Sequence, residues 1–355
     1  MPVRGPARGR AGRRRGPRAP PRGRPRPCSR TGRRTPMRVL IWHVHGSWTT
    51  SFVHGRHTCL LPVVEDRGPD GRGRARTWDW PASAVELAPA ELADADIDVV
   101  VLQRPHELEL LERWTGRRAG TDLPAVYVEH DTPRGPAVAT RHPLAERSDI
   151  PVVHVTHFNR MMWDNGQAPT EVVEHGVLDP GPLYTGRTAS LAAVVNEPVR
   201  RGRIAGTDLL TALARELPVD VYGMGMDQLA EHAPHMAGRL HENYPQEKLH
   251  GALGEHRAYF HPYRWTSLGL ALLEAMTIGM PVLGLSTTEA PRAVPPGAGL
   301  LSNDLEALAA QARHWLNDPD AAAAAGTAAR GHALRHYGLD RFLADWDRIL
   351  EKVTA

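Results

Sequence analysis

Short apolar runs alternate with segments of helical or turn-rich composition along most of the chain. In the first half, the runs with the length and apolar content of buried strands are residues 38–44, 98–103, 125–129 and 152–156. In the second half, the strand-like runs are residues 191–195, 219–222, 258–261 and 282–285. Helical patterns lie between them at residues 208–216, 247–256 and 268–278. This alternation predicts an α/β fold built on parallel sheets.

A turn-rich segment, Asp-Pro-Gly-Pro at residues 179–182, separates the two sets of strands. Such a segment favours a hinge between compact units, and 355 residues are enough for two domains with separate cores. We therefore predict one Rossmann-like domain over residues 37–178 and a second over residues 179–338. Helical patterns at residues 320–335 and 340–353 follow, and residues 339–355 are predicted to form a separate terminal helix.

The charge is distributed unevenly along the chain. Residues 1–36 contain thirteen arginines and no acidic residue, so removing them from the net charge of +3 leaves −10 on the remainder. An acidic remainder makes a nucleic-acid-binding face unexpected. The Arg/Pro/Gly-rich leader has no hydrophobic segment, and we predict a disordered extension, with an arm that binds anionic polymers as the alternative.

Three further features of the composition exclude function classes. The two cysteines, Cys28 and Cys59, are too few for a disulfide framework or a metal cluster and fit a reducing cytoplasm. The only lysines, Lys248 and Lys352, lack the context of a reactive amine, so Schiff-base and pyridoxal-phosphate chemistry are discounted. No apolar run approaches the ~20 residues that a membrane-spanning helix needs.

The segment at residues 266–285, TSLGLALLEAMTIGMPVLGL, joins a turn, a helix and a buried strand. Apolar residues recur at helical spacing, Gly279 marks the end of the helix, and Pro281 follows it. Glu274 interrupts the apolar run, and a carboxylate there is costly unless it meets a partner such as a ligand hydroxyl pair. Gly269 lies at the helix start, where free amides and the helix dipole favour a diphosphate. The alternative is a core helix with one satisfied glutamate.

The spacing G-L-x-x-x-E-A-x-x-x-G-x-P-V resembles the nucleotide-sugar signature of retaining GT-B glycosyltransferases of the family 4 type. It is carried by Gly269, Leu270, Glu274, Ala275, Gly279, Pro281 and Val282. The resemblance implies two Rossmann-like domains facing across a cleft, with a C-terminal helix crossing back onto the first domain. It also implies that Glu274 binds the nucleotide ribose. The backbone that would face the donor diphosphate belongs to Thr266, Ser267, Leu268, Gly269 and Leu270. The family has a second glutamate eight residues before the first, and this chain has Thr266 there, which leaves the donor sugar open.

A second segment, VNEPVRRGRIAGTDLL at residues 195–210, resembles the family region G-R-L-x-x-x-K-G-x-D-L-L. Alignment on its glycine and aspartate places Arg200 at the family arginine and Ala205 at the family lysine. We predict that Arg203 compensates for the missing lysine and that Arg200 and Arg203 stabilise the leaving diphosphate, a task suited to the planar arginine fork. The alternative is a solvated basic loop.

Residues at the ends of predicted strands are further candidates for ligand binding, because ligands collect at the carboxyl ends of strands in parallel sheets. These candidates are Gly46, His130, Asp131 and Thr156. His130 resembles the histidine near the donor sugar in the first domain of the family, and we assign it an orienting role. Gly46 ends the first strand as the family's N-terminal glycine loop does, although no G-x-G-x-x-G follows.

The predicted activity is transfer of a hexosyl group from a nucleotide-diphosphate sugar to an acceptor hydroxyl, with retention implied by the resemblance alone. No cofactor is expected. No metal is expected either, because Asp94 and Asp96 imitate a D-x-D motif but precede a strand instead of following one. The expected partners are the nucleotide sugar and an acceptor that is a small molecule, a glycan or a lipid-linked compound; peripheral membrane contact stays open. Two alternatives remain: a GT-B sugar-nucleotide epimerase, and a non-catalytic binding protein whose working part is the leader.

Overall fold

The computed structural model describes residues 35–355, and its first half is built on a seven-stranded sheet. The strands are β1 (Arg38–Ile41), β2 (Thr58–Pro62), β3 (Ala84–Leu87), β4 (Val99–Leu102), β5 (Ala125–Glu129), β6 (Val152–His154) and β7 (Thr170–Val172). They are all parallel and pair in the order β3-β2-β1-β4-β5-β6-β7. The order reverses between β1 and β4, and such a switch point is where α/β sheets bind ligands.

The second half repeats this arrangement with six parallel strands. They are β8 (Thr188–Val194), β9 (Val219–Gly223), β10 (Leu240–Glu242), β11 (His256–His261), β12 (Val282–Gly284) and β13 (Gly299–Leu301). Their order is β10-β9-β8-β11-β12-β13, so the second switch point lies between β8 and β11. The predicted α/β fold with parallel sheets is confirmed.

Helices follow most of the strands. In the first half they are α1 (Gly46–Val53), α2 (Pro89–Leu92), α3 (Glu107–Thr115) and α4 (His157–Met162). In the second half they begin with α5 (Pro198–Ala205), α6 (Thr207–Leu213), α7 (Met226–His232) and α8 (Gln246–Glu255), with a 3₁₀ turn at Pro234–Met236. The later ones are α9 (Leu270–Ile278), α10 (Ala290–Ala293), α11 (Leu305–Asn317), α12 (Pro319–His336) and α13 (Leu339–Val353). None of these helices is both long enough and apolar enough to cross a bilayer.

Helix α9 is the centre of the second half because it is buried on nearly all sides. It ends at Gly279, whose φ of 101° is a left-handed conformation that favours glycine. The alanine-rich helix α12 packs on α9 at close range, since a Cβ on Gly326 would lie 2.1 Å from the Gly279 carbonyl oxygen. The small side chains of α12 are therefore a packing requirement of this contact.

Helix α13 packs against the first sheet, although it is the last element of the chain. Its buried side chains are Phe342, Trp346, Ile349 and Leu350, which share one core with β1, β4 and β5. The chain passes between the halves in two neighbouring segments, where the Val177 amide donates to the Tyr337 carbonyl at 2.9 Å. The exact domain limits at residues 178 and 338 stay a prediction.

Several predicted elements are shorter in the structure. The strand predicted at 38–44 ends at Ile41, and the one predicted at 152–156 ends at His154 because Thr156 caps α4 through its side chain. The helix predicted at 268–278 begins at Leu270, since Gly269 has an extended backbone. The leader prediction for residues 1–36 falls, except for its last two residues, outside the described part of the chain.

Candidate active site

A cleft of about 410 Å³ lies where the carboxyl ends of the two sheets face each other. The first half contributes the start of α1, at Gly46 and Ser47, together with Thr77 and Trp78. The second half contributes residues that follow β8, β9, β10 and β11, and the first residues of α9. The elements that follow β1, β8 and β11 thus open into one cavity, as expected for a ligand that both halves hold.

Glu274 is the buried carboxylate of this cleft. Its residue is 6% exposed, and it lies one turn into α9 with its side chain lining the cavity. The basic side chain beside it is that of His250, whose Nε2 lies 3.6 Å from Oε2, beyond hydrogen-bond distance. A carboxylate in this position gains most from a ligand that donates hydroxyl groups to it.

Two helix N-termini face the cleft from opposite sides. Gly269 and Leu270 at the start of α9 line it, as do Gly46 and Ser47 at the start of α1. Unpaired amides and the positive dipole end at such a position favour a negatively charged ligand. Gly269 has no room for a side chain, because a Cβ there would lie 2.9 Å from Cε1 of His261.

The structure divides the predicted donor-binding segment. Gly269, Leu270 and Glu274 line the cleft, whereas Thr266, Ser267 and Leu268 are not among its lining residues. Leu268 packs into the core around α9, and Ser267 is buried. The start of α9 is therefore the part of this segment that meets the cavity.

The predicted phosphate-binding arginines do not line the cleft. Arg200 is exposed and forms an ion pair with Glu197, and Arg203 is exposed and lies 2.9 Å from Asp208. The neighbouring Arg201 instead places its guanidinium carbon 5.2 Å from the ring centre of Tyr263, a residue of the cleft wall. Of the three arginines, Arg201 is the one in contact with a residue of the cleft wall, and the assignment of Arg200 and Arg203 stays a prediction.

A local break interrupts α5 between these arginines. Gly202 has a φ of 48° and a ψ of −124°, so the helix is kinked immediately after Arg201. An alignment by spacing treats residues 198–205 as one regular helix and cannot show such a break. The position of the family lysine, Ala205, is fully buried and faces the core.

His130 lies behind the glycine loop of the first half. Its Nε2 lies 3.0 Å from Oε1 of Gln103, whose amide nitrogen donates to the Trp42 carbonyl at 2.6 Å. Its ring contacts His45, the residue before Gly46, at 4.0 Å between ring centres. Burial lowers the pKa of His130 well below its usual value, and His45 and His175 add to this effect. A neutral imidazole held at both sides suits an orienting role and is set back from the lining of the cleft.

The neighbouring His175 supports a prediction on pH dependence. Both of its ring nitrogens are buried without a hydrogen-bond partner in the described residues, and burial lowers its pKa to about 3. The folded protein therefore binds fewer protons than the unfolded chain below about pH 6.5, and stability is lost as the pH falls from there toward 3. His175→Leu is expected to reduce this loss by about 1.4 kcal/mol per pH unit.

The measurement is urea unfolding at several values between about pH 4 and 7, with the slope of stability against pH compared between proteins. The exposed His232 on α7 provides the matched control, His232→Leu. Equal slopes for His175→Leu and the control would show that His175 is protonated as easily in the folded protein as in the unfolded chain.

Part of the cleft wall is formed by residues that the sequence does not predict. Asn243 and Tyr244 line it from the connection between β10 and α8, together with Gln246, the first residue of α8. Asn243 has a left-handed φ of 44°, and the Tyr244 ring is covered by Nζ of Lys248 at 3.7 Å. The rule that ligands bind beyond strand ends applies to this loop as well, but the three-residue strand β10 is too short to be recognised in the sequence.

The acidic residues suggestive of a metal motif lie away from the cleft. Asp94 and Asp96 are exposed and precede β4, at the edge of the sheet opposite to Gly46. No group of three or more His, Cys, Asp or Glu side chains within residues 35–355 is arranged to hold a metal ion. Independence from metal remains a prediction for assay.

Comparison with known proteins gives one family match and many structural matches. Residues 207–318, which include Glu274 and the start of α9, match the family model described as glycosyl transferases group 1. No curated protein sequence matches the chain. Sucrose-phosphate synthase from Thermosynechococcus elongatus is similar in structure, with a TM-score of 0.67 and 13% identity over 89% of this chain and 99% of that one.

Two further solved structures share this architecture. HepE from Anabaena, in complex with UDP, has a TM-score of 0.65 and 13% identity over 89% of this chain and 100% of its own. TarM from S. aureus, in complex with UDP and other ligands, has a TM-score of 0.58 and 14% identity over 71% of this chain and 55% of its own. The predicted GT-B arrangement of two facing halves is confirmed by these similarities.

Proposed function

We propose that this chain, a glycosyltransferase with the GT-B fold and a group 1 domain, moves a hexosyl group from a nucleotide-diphosphate sugar to an acceptor hydroxyl with retention of configuration. The observation that carries the donor assignment is the buried carboxylate of Glu274, which faces the cleft one turn from the open start of α9. Hydroxyl groups of a ribose and the oxygens of a diphosphate are complementary to these two features.

The donor fits the second half of the cleft in one direction. The ribose lies at Glu274, the diphosphate lies at the amides of Gly269 and Leu270, and the base lies toward Asn243 and Tyr244. HepE has been solved with UDP and with UDP-glucose, which makes uridine nucleotides the first donors to test. The acceptor then enters from the side of Gly46, in the first half.

The catalytic step requires charge stabilisation more than strong acids or bases. The acceptor oxygen bonds to the anomeric carbon as the bond to the diphosphate breaks, and a diphosphate oxygen takes the acceptor proton. The helix dipoles of α9 and α1 and the cation of Arg201 stabilise the negative charge that develops on the leaving group. His130 orients the loop at Gly46, and closure of the two halves excludes water.

A two-stage experiment tests the proposal. Thermal shift with a panel of nucleoside diphosphates and nucleotide sugars identifies the donor, because a ligand that binds the folded state raises the melting temperature. Incubation of that donor with candidate acceptors, followed by NMR of the product, then reports transfer and the configuration at the anomeric carbon. Inversion would refute retention, and isomerised donor without transfer would favour the epimerase. A cytoplasmic location and peripheral membrane contact stay predictions.

The arginines of α5 provide a test within the same assay. Arg201→Ala is expected to lower kcat about a hundredfold with little change in KM for the donor, because charge on the diphosphate grows mainly in the transition state. Arg200→Ala with Arg203→Ala is the matched comparison, since both side chains are exposed and ion-paired. A larger loss in the double variant than in Arg201→Ala would restore the assignment made by alignment.

A further inference from the structure

The connection between β2 and β3 forms a second cavity of about 430 Å³ beside the cleft. Its wall is rich in cations: Arg67, Arg72, Arg74 and Arg76 line it, together with the acids Glu65 and Asp66. His43 also lines it, and burial lowers the pKa of this histidine. The cavity therefore has an excess of positive charge, on a chain whose residues after 36 carry −10. A local reversal of sign of this kind attracts an anion.

Two of these arginines already have partners within the protein. Arg67 pairs with Glu86 at 2.8 Å, and Arg74 donates to backbone carbonyls, among them that of Pro81 at 2.9 Å. Arg72 and Arg76 are exposed, and neither guanidinium has an ion pair or hydrogen bond within residues 35–355. These two cations are free to meet a ligand.

Residues that line the second cavity are close in sequence to residues that line the cleft. Arg76 is followed directly by Thr77 and Trp78, which line the cleft, and His43 is three residues from Gly46, which also lines it. The two cavities therefore adjoin at these positions, in the half of the molecule opposite to α9. This is the side that the proposed function leaves for the acceptor.

Two further arginines follow neighbouring strands of the first sheet and act on the charge of His45. Arg104 follows β4, and its Nη2 is buried without a hydrogen-bond partner in the described residues, although the side chain pairs with Glu107 and Asp70. Arg134 follows β5 and pairs with Asp131. Burial, the largest cause, lowers the pKa of His45, and the charges of Arg104, Arg134 and Arg72 lower it further against an opposing effect of Asp131. Arg72 of the second cavity therefore lies close enough to His45, the residue before Gly46, to act on its charge.

We propose that the acceptor carries an anionic group, a phosphate or a carboxylate, which Arg72 and Arg76 bind while its hydroxyl group reaches the donor sugar. This inference rests on the proposed function and specifies its acceptor. The planar arginine fork binds both kinds of anion, and its charge does not depend on pH. The reaction is unchanged: the acceptor oxygen replaces the diphosphate at the anomeric carbon, and the acceptor proton leaves with the diphosphate.

Matched acceptors test the inference on the full chain. Glycerol, glycerol 3-phosphate and glycerate form one series, and glucose, glucose 6-phosphate and glucuronate form a second. Release of nucleoside diphosphate is measured for each with the donor identified by thermal shift. We expect kcat/KM for at least one anionic member to exceed that of its neutral counterpart by about tenfold or more. A preference for the phosphate or for the carboxylate identifies which anion the site takes.

Arg72→Gln combined with Arg76→Gln should reduce this ratio of anionic to neutral acceptor about tenfold. The control is Arg215→Gln, an exposed arginine of the second half, which should keep the ratio. Equal rates for neutral and anionic acceptors, no reaction with either series, or a double variant that behaves like the control would overturn the inference. Failure of the proposed function is distinguishable, because no nucleotide or nucleotide sugar would then raise the melting temperature.

Discussion

Glu274→Ala is expected to weaken binding of the nucleoside diphosphate about 30-fold and to leave the protein folded. The carboxylate is buried and lines the cleft, so its removal deletes the group that accepts the ribose hydroxyls. Hydrogen bonds to a charged group contribute about 2 kcal/mol, which corresponds to that loss of affinity. Because His250 lies 3.6 Å away, no short hydrogen bond within the protein is broken.

Isothermal calorimetry with the nucleotide found by thermal shift measures this effect. Glu231→Ala, which removes an exposed carboxylate on α7, is the control and should retain the affinity of the original chain. An unchanged affinity in Glu274→Ala would remove Glu274 from the donor site. Unfolding of the variant would instead support the alternative that this glutamate serves the core of α9.

The sequence predicts the inner strands of both sheets except β2, because they are buried apolar runs; β2 is also buried, between β1 and β3, but is not predicted. Residues 125–129, for instance, form β5 with the predicted limits, since a run of this kind has no alternative to the centre of a parallel sheet. The edge strands β3, β7, β10 and β13 escape prediction because they are short and partly exposed. Their positions depend on pairing with strands distant in the chain.

The residues of the candidate site also fall into a group that the sequence predicts and a group that it does not. Gly269 and Glu274 are predictable because a helix start and its first turn are local features that spacing encodes. Which of Arg200, Arg201 and Arg203 contacts the cleft wall is not such a local feature, and the break of α5 at Gly202 is a property of backbone dihedral angles that residue spacing does not show. The cations around His45 are equally invisible in the sequence, because they follow different strands and meet only when the sheet forms.

Helix α13 completes the core of the first half, and Trp346 is its central contact. The side chain is 2% exposed and meets Trp48 and Phe52 edge to face, with ring centres 5.5 and 5.4 Å apart. Its Nε1 is buried without a hydrogen-bond partner in the described residues, so only the ring surface contributes to packing. The fifteen-residue helix α13 therefore stabilises a sheet whose first strand begins about three hundred residues earlier.

Trp346→Ala is expected to destabilise the protein by about 3 to 5 kcal/mol, because it leaves a large cavity among aromatic rings that cannot close around it. Trp346→Phe should cost much less, since it keeps an aromatic ring and removes an unpaired N–H group. Urea unfolding gives the overall loss, and hydrogen exchange locates it: protection should fall in β1, β4 and β5 and persist in α9 and β11. Equal loss of protection in both halves would show that α13 stabilises the whole chain as one unit, and no loss in either would show that its contact with the first sheet contributes little.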